Sequence, residues 1–155
     1  MNYRDFLQKL IYVVINPIIK AMIAMGITPN VVTTIGFVGN IAATGLFIAG
    51  GIALQDGDAP GGMALIGWGG FTILFAGLFD MMDGRLARMG NMSSTFGALW
   101  DSTLDRYSEM VSLFGISVVF LNAGWFWTGI VPYAAILGSV MVSYVRARAE
   151  GLDIE

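Results

Sequence analysis

The sequence predicts an all-α integral membrane protein that forms a single domain over residues 1–155. Hydrophobic residues make up 56% of the chain and charged residues only 12%, a composition typical of membrane proteins. The apolar residues are concentrated in long segments, and clusters of turn-forming residues separate these segments. We therefore expect an N-terminal amphipathic helix at the membrane surface, followed by four transmembrane helices.

The first segment, residues 3–25, is apolar but is interrupted by charged side chains such as Arg4, Lys9 and Lys20. A spanning helix would tolerate these poorly, whereas a helix lying in the headgroup layer accepts them. No pattern of small residues that would mark a signal-peptide cleavage site follows the segment. We therefore expect an interfacial helix, with an ordinary surface helix as the alternative.

Four longer apolar segments follow, and each is long enough to cross a bilayer as a helix. Turn-forming residues are concentrated before the first of them, at residues 26–30, and after it, at residues 55–62. Trp125 and Trp127 lie where the last segment begins, a position typical of interfacial anchors. The predicted spans are residues 31–52, 63–88, 95–121 and 125–150.

The basic residues indicate how these spans are oriented. All eight lie at positions 4, 9, 20, 85, 88, 106, 146 and 148, and the predicted loops at 53–62 and 122–125 contain none. With four spans, every basic residue then falls on one side of the membrane, which the positive-inside rule makes cytoplasmic. We expect a multi-pass protein of the cell membrane, with its functional site facing the cytoplasm.

The composition also excludes some kinds of chemistry. The net charge of −3 gives no indication of nucleic-acid binding. The chain has no cysteine, which rules out disulfides and thiolate metal sites. It has no histidine either, so a general base would have to be a carboxylate or another group.

Four aspartates lie near the polar ends of the second and third spans. On a helix, Asp80 and Asp83 lie on the same face. Asp101 and Asp105, which are one turn apart, likewise share a face of the next helix. Ionisable groups near the membrane core are costly and indicate function. Because hard oxygen ligands suit Mg²⁺ or Mn²⁺, we predict a metal site that holds two ions. The alternative is that the aspartates are solvated helix caps.

Small residues and one arginine accompany the aspartates, and the cap interpretation leaves them unexplained. Gly84 and Ala87 share the face of the first aspartate pair, and Gly97 shares the face of Asp101. Their small size would let a bulky ligand approach the backbone. Arg88 places a cation beside the acidic cluster, where it can hold a phosphate.

The pattern D-x2-D-G-x2-A-R-x8-G-x3-D-x3-D, from Asp80 to Asp105, resembles the signature of the CDP-alcohol phosphotransferase family. All eight fixed positions match at the right spacing, and the resemblance covers most of the chain. It implies an amphipathic helix ahead of six spans, metals held between the second and third spans, and a homodimer. Since this sequence shows four spans and lacks the fifth and sixth, we expect it to be a fragment.

Carried over by position, the resemblance implies roles for individual residues. Asp80, Asp83, Asp101 and Asp105 would ligate the metals, and Asp105 would also act as the catalytic base on the acceptor hydroxyl. Two ions would bridge the pyrophosphate oxygens of CDP-diacylglycerol and stabilise the departing CMP. The predicted contacts to the CDP-lipid are Asn30, Val31, Val32, Thr33, Gly84, Ala87, Arg88, Ser94 and Gly97.

The acceptor is indicated by two stretches, residues 101–106 and 143–150, which resemble the family branch that makes phosphatidylinositol phosphate. The resemblance implies a soluble acceptor, inositol 1-phosphate, whose phosphate Arg146 and Arg148 would hold. Alternatively, these arginines anchor the helix end among the headgroups. Glycerol 3-phosphate, serine and free inositol are alternative acceptors. Two alternatives from other classes are a non-catalytic ion-binding or transport module and a purely structural helical bundle.

Overall fold

The computed structural model describes residues 3–154, with the surroundings of side chains from residue 12 onward. This part of the chain forms five helices and contains no strand, which confirms the predicted all-α class. The helices are α1 (Tyr3–Ala24), α2 (Pro29–Gln55), α3 (Ala59–Met89), α4 (Thr95–Asn122) and α5 (Phe126–Glu150).

The connection between α2 and α3 is shorter than the sequence predicted. We expected the loop to extend to residue 62, but α3 already begins at Ala59. Asp58 caps this helix, since its side chain accepts a hydrogen bond from the Gly61 N–H at 3.0 Å. Pro60 lies in the first turn, where its missing N–H is not needed by the helix. A proline, a capping aspartate and two glycines therefore start a helix here.

Three helices, α2, α3 and α5, are long and apolar enough to cross a membrane, as expected of an integral membrane protein. The third predicted span, which corresponds to α4, has 28 residues but a more polar sequence. Even its apolar end, residues 105–122, contains Asp105, Arg106 and Glu109. The surface position of α1 stays a prediction.

Helix α2 is the common neighbour of the two helices that carry the aspartates. It packs along α3 on one side and along α4 on the other, and α5 packs on α4. Gly50 of α2 lies against Gly62 of α3, and Gly115 of α4 lies against Thr44 of α2. Small residues of this kind let membrane helices approach closely. The Thr44 hydroxyl also donates a hydrogen bond to the Val111 carbonyl at 2.9 Å.

A small apolar core joins α1 to the ends of α2 and α3. It consists of Ile15 and Ile19 from α1, Val32 from α2, and Met82 and Leu86 from α3. These side chains are buried against one another, so they fix where α1 lies relative to α2 and α3. The core is immediately next to the aspartates of α3.

Arg85 strengthens the contact between α1 and α3. Its Nε donates to Asn16 Oδ1 at 2.7 Å, and its guanidinium carbon lies 3.5 Å from the centre of the Tyr12 ring. A cation over an aromatic face is attractive. Arg85 therefore attaches α1 to α3 rather than facing the aspartates.

Candidate active site

Three aspartates from two helices converge at this end of the bundle. Carboxylate oxygens of Asp80, Asp101 and Asp105 lie within 4.8 Å of one another. Asp80 is exposed, and the other two are half-buried. Like charges this close repel one another, and a hard divalent cation relieves that repulsion while using the oxygen ligands it prefers. The donor set therefore fits Mg²⁺ or Mn²⁺.

The fourth predicted ligand, Asp83, lies outside this group of three and is only 3% exposed. The Thr33 hydroxyl donates to Asp83 Oδ2 at 2.6 Å, and the Gly84 N–H donates to Oδ1. Each carboxylate oxygen has a further lone pair beyond these bonds. The structure thus fixes the Asp83 carboxylate between α2 and α3, and its role as a metal ligand stays a prediction.

A cavity of about 180 Å³ lies beside the aspartates, between the start of α2, the end of α3 and the start of α4. Asp83 and Asp101 both line it. The predicted nucleotide contacts that also line this first cavity are Asn30, Thr33, Gly84, Ala87, Arg88, Ser94 and Gly97. Val31 and Val32 do not line it, because Val31 is exposed and Val32 is fully buried in the core with α1.

The small residues of the signature shape the first cavity. A Cβ atom at Gly97 would lie 3.0 Å from Ser94 Oγ and 3.3 Å from Asn30 Oδ1, so a side chain here would press on two cavity residues. At Gly84 the nearest atoms to such a Cβ belong to the Arg88 guanidinium, at 3.6 Å. Bare backbone and a cation therefore lie side by side, which suits a phosphate-bearing ligand.

A second cavity, of about 330 Å³, lies on the other side of the aspartates. Asp80 and Asp105 line this cavity, whereas Asp83 and Asp101 line the first. Thr33 of α2 lines both. The carboxylate cluster is therefore positioned between two separate spaces.

Sequence reasoning missed the polar lining of the second cavity. Asn40, Arg106, Ser108 and Glu109 all contribute to it. The available signal was a charged pair inside an otherwise apolar segment, because such residues indicate function in membrane helices.

The two arginines predicted to hold the acceptor phosphate lie elsewhere. Neither Arg146 nor Arg148 lines either cavity. Arg146 pairs instead with Glu150, its Nε lying 3.1 Å from Oε1, and its side chain is 82% exposed. The structure therefore does not bring these arginines to the aspartates.

A helical membrane protein with a carboxylate cluster between two polar cavities has the features of a membrane-embedded, metal-dependent enzyme. Residues 26–154 match the model of the CDP-alcohol phosphatidyltransferase family, and the chain belongs to this family. The resemblance inferred from the sequence is thereby confirmed.

Several curated relatives are similar to most of this chain. A phosphatidylinositol phosphate synthase of Mycobacteroides abscessus is 33% identical over 87% of the chain and 56% of its own length. An archaetidylinositol phosphate synthase of Pyrococcus horikoshii is 39% identical over 84% of the chain and 60% of its own length. A phosphatidylinositol phosphate synthase of Cutibacterium acnes is 32% identical over 92% of the chain and 63% of its own length. The chain thus spans between 56% and 63% of the length of these relatives. No solved structure matches it significantly.

Proposed function

We propose that this protein transfers the phosphatidyl group of CDP-diacylglycerol to inositol 1-phosphate and releases CMP. The observation that carries this proposal is the convergence of the family signature on one cleft. Three of its aspartates cluster between two cavities, and its small residues and Arg88 line the first of these. The names of the three relatives described above, two phosphatidylinositol phosphate synthases and one archaetidylinositol phosphate synthase, support the choice of acceptor.

The first cavity is the proposed site of the CDP group. Arg88 would donate hydrogen bonds to the diphosphate, and Gly84 and Ala87 would let it lie against the backbone of α3. Ser94 and Asn30 offer hydroxyl and amide groups for the nucleoside. Since Asp101 also lines this cavity, the diphosphate would meet the carboxylate cluster at the cavity's inner end.

Asp80, Asp101 and Asp105 would hold a divalent cation, Mg²⁺ or Mn²⁺, and Asp83 would contribute to a second ion. When bound, such ions neutralise the diphosphate and polarise the phosphorus under attack. Thr33 and the Gly84 N–H keep the Asp83 carboxylate facing this region by hydrogen bonding to both of its oxygens. Their part in the reaction is therefore to orient a ligand.

The second cavity is the proposed position from which the acceptor hydroxyl attacks the phosphorus. Phosphoryl transfer places the attacking and leaving oxygens roughly in line, so an acceptor hydroxyl should enter opposite the departing CMP. Asp105 lines this second cavity and would take the proton from the hydroxyl as a general base. A new bond forms between this oxygen and the phosphorus of the phosphatidyl group, while the bond to the bridging oxygen breaks and CMP leaves with its electron pair.

The proposed reaction has a membrane-bound donor and a soluble acceptor, so the cleft should face the cytoplasm from the cell membrane. The sequence supports this orientation, because all eight basic residues fall on one side of the four predicted spans. Arg146 and Arg148, which lie at the cytoplasmic end of α5 in this arrangement, would meet the acceptor phosphate as it arrives. A homodimer remains part of the proposal.

The test is CMP release from CDP-diacylglycerol by the full-length protein in detergent with Mg²⁺. Release that requires inositol 1-phosphate and stops with a chelator would support the reaction and the acceptor. Release only with glycerol 3-phosphate, serine or free inositol would retain the transfer and exclude inositol 1-phosphate. Ion flux in vesicles without any CMP release would instead favour a transport role.

A further inference from the structure

A polar network connects α4 to α5 at the second cavity. Arg106 Nη1 lies 2.6 Å from Glu109 Oε2. The hydroxyl of Ser139, on α5, donates to the same Oε2 at 2.6 Å and accepts from Nη1 at 2.8 Å. Charged side chains within an otherwise apolar membrane helix are rare and indicate function. A role in binding would account for their presence.

The network leaves hydrogen-bonding groups available to a ligand. Its bonds use only Nη1 of Arg106 and Oε2 of Glu109, which leaves the Nε and Nη2 donors and the Oε1 acceptor. Both side chains line the second cavity and are 40% and 34% exposed. A hydroxyl group both donates and accepts, so adjacent hydroxyls on one ligand would match this combination of donors and acceptors.

The charges of the cavity favour a neutral ligand group over an anionic one. Arg106 and Glu109 cancel each other, and the other charged groups in the lining are Asp80 and Asp105. Apart from the proposed metal ions, which the diphosphate of the donor would occupy, a phosphate placed here would face carboxylates without an unpaired cation to offset them. Neutral hydroxyls would instead donate to carboxylate oxygens and accept from the guanidinium.

We infer that Glu109, held in place by Arg106 and Ser139, is a specificity-determining residue that hydrogen-bonds the ring hydroxyls of a polyhydroxylated acceptor. The acceptor's ring occupies the second cavity, with its reacting hydroxyl at Asp105, and its phosphate lies outside. This inference rests on the proposed function, and it assigns the acceptor's recognition to α4 and α5.

The experiment compares the KM for inositol 1-phosphate with that for analogues that each lack one ring hydroxyl. It uses the full-length protein with Mg²⁺ and CDP-diacylglycerol. In Glu109→Gln, the KM for inositol 1-phosphate should rise about 10- to 100-fold, as expected for losing a hydrogen bond to a charged group. The KM for CDP-diacylglycerol should not change. For one analogue, wild type and Glu109→Gln should have the same KM, because that analogue lacks the hydroxyl that Glu109 binds.

Ser139→Ala provides a second variant that leaves the cavity lining intact. It should raise the acceptor's KM by about three- to tenfold, less than Glu109→Gln, because Ser139 only positions Glu109 and does not bind the acceptor itself. Its matched control is Ser117→Ala, because the Ser117 hydroxyl also connects α4 to α5, donating to the Gly129 carbonyl at 2.6 Å, but does not line the second cavity. This control should match wild type.

The outcomes separate this inference from the function on which it rests. Two outcomes would overturn the role of Glu109 alone. In the first, Glu109→Gln raises the KM for the acceptor and the KM for the lipid equally. In the second, the KM ratio between Glu109→Gln and wild type is the same for every analogue. Use of serine but no polyol would overturn the role of Glu109 together with the proposed acceptor, while retaining the phosphatidyl transfer. If Glu109→Gln aggregates on size-exclusion chromatography, Ser139→Ala decides by the same comparison. Absence of CMP release by wild type with every alcohol would overturn the proposed function and this inference together.

Discussion

The close approach of α2 and α3 predicts that replacing Gly50 even by alanine destabilises the protein. A Cβ atom at this position would lie 2.9 Å from the carbonyl oxygen of Gly62 and 2.8 Å from Cγ1 of Ile66. The Ile66 side chain can rotate away, but the backbone carbonyl cannot, so the helices must separate. Overpacking of this kind costs about 1–3 kcal/mol, which corresponds to a decrease in Tm of about 2–12 °C for a chain of this size.

Gly45→Ala is the matched control, because Gly45 lies on the same helix and an added Cβ would meet nothing within 4 Å. There the better helix propensity of alanine should stabilise the protein by about 0.5–1 kcal/mol. Thermal unfolding of both variants in the same detergent, at one scan rate, measures the difference. A Tm for Gly50→Ala equal to or above that for Gly45→Ala would refute the proposed contact between the α2 and α3 backbones.

Three further predictions concern the site. Asp105→Asn should lower CMP release by about 100- to 10,000-fold while CDP still protects the protein against heat; unchanged turnover would remove Asp105 from the mechanism. Thr33→Val should destabilise the protein by about 1–3 kcal/mol, because buried Asp83 loses a hydrogen-bond donor, whereas Thr33→Ser should restore the Tm. Ser94→Ala should cost about 0.5–2 kcal/mol by removing the N-cap of α4 at Gly97, and Ser94→Asp should recover it in the same melting assay.

The order and extent of the helices could be predicted because the signals for them are local. The predicted spans at residues 95–121 and 125–150 agree closely with α4 and α5. The start of α3 was predicted at residue 63 rather than at Ala59, since the A-P-G-G sequence there is also typical of loops. Deciding between these outcomes requires knowing that the Asp58 side chain turns back onto the Gly61 N–H.

The site was predictable to the extent that it depends on spacing within single helices. The aspartates of α4, one turn apart, lie together with Asp80 as expected. The separation of Asp83 from that group was not predicted, because it depends on Thr33, 50 positions earlier in the chain. Ser139 gave no signal at all, since a serine in an apolar helix is ordinary until its contacts with α4 are known.

Helix α2 carries none of the four aspartates, yet its position determines how they are used. It packs on both α3 and α4, the two helices whose carboxylates converge to within 4.8 Å of one another. Thr33 lines both cavities and also donates a hydrogen bond to Asp83. Helix α2 therefore forms part of the wall of both the proposed donor site and the proposed acceptor site. Because an in-line reaction needs its two substrates on opposite sides of the reacting phosphorus, two cavities that lie on either side of the carboxylates along one helix suit the proposed chemistry.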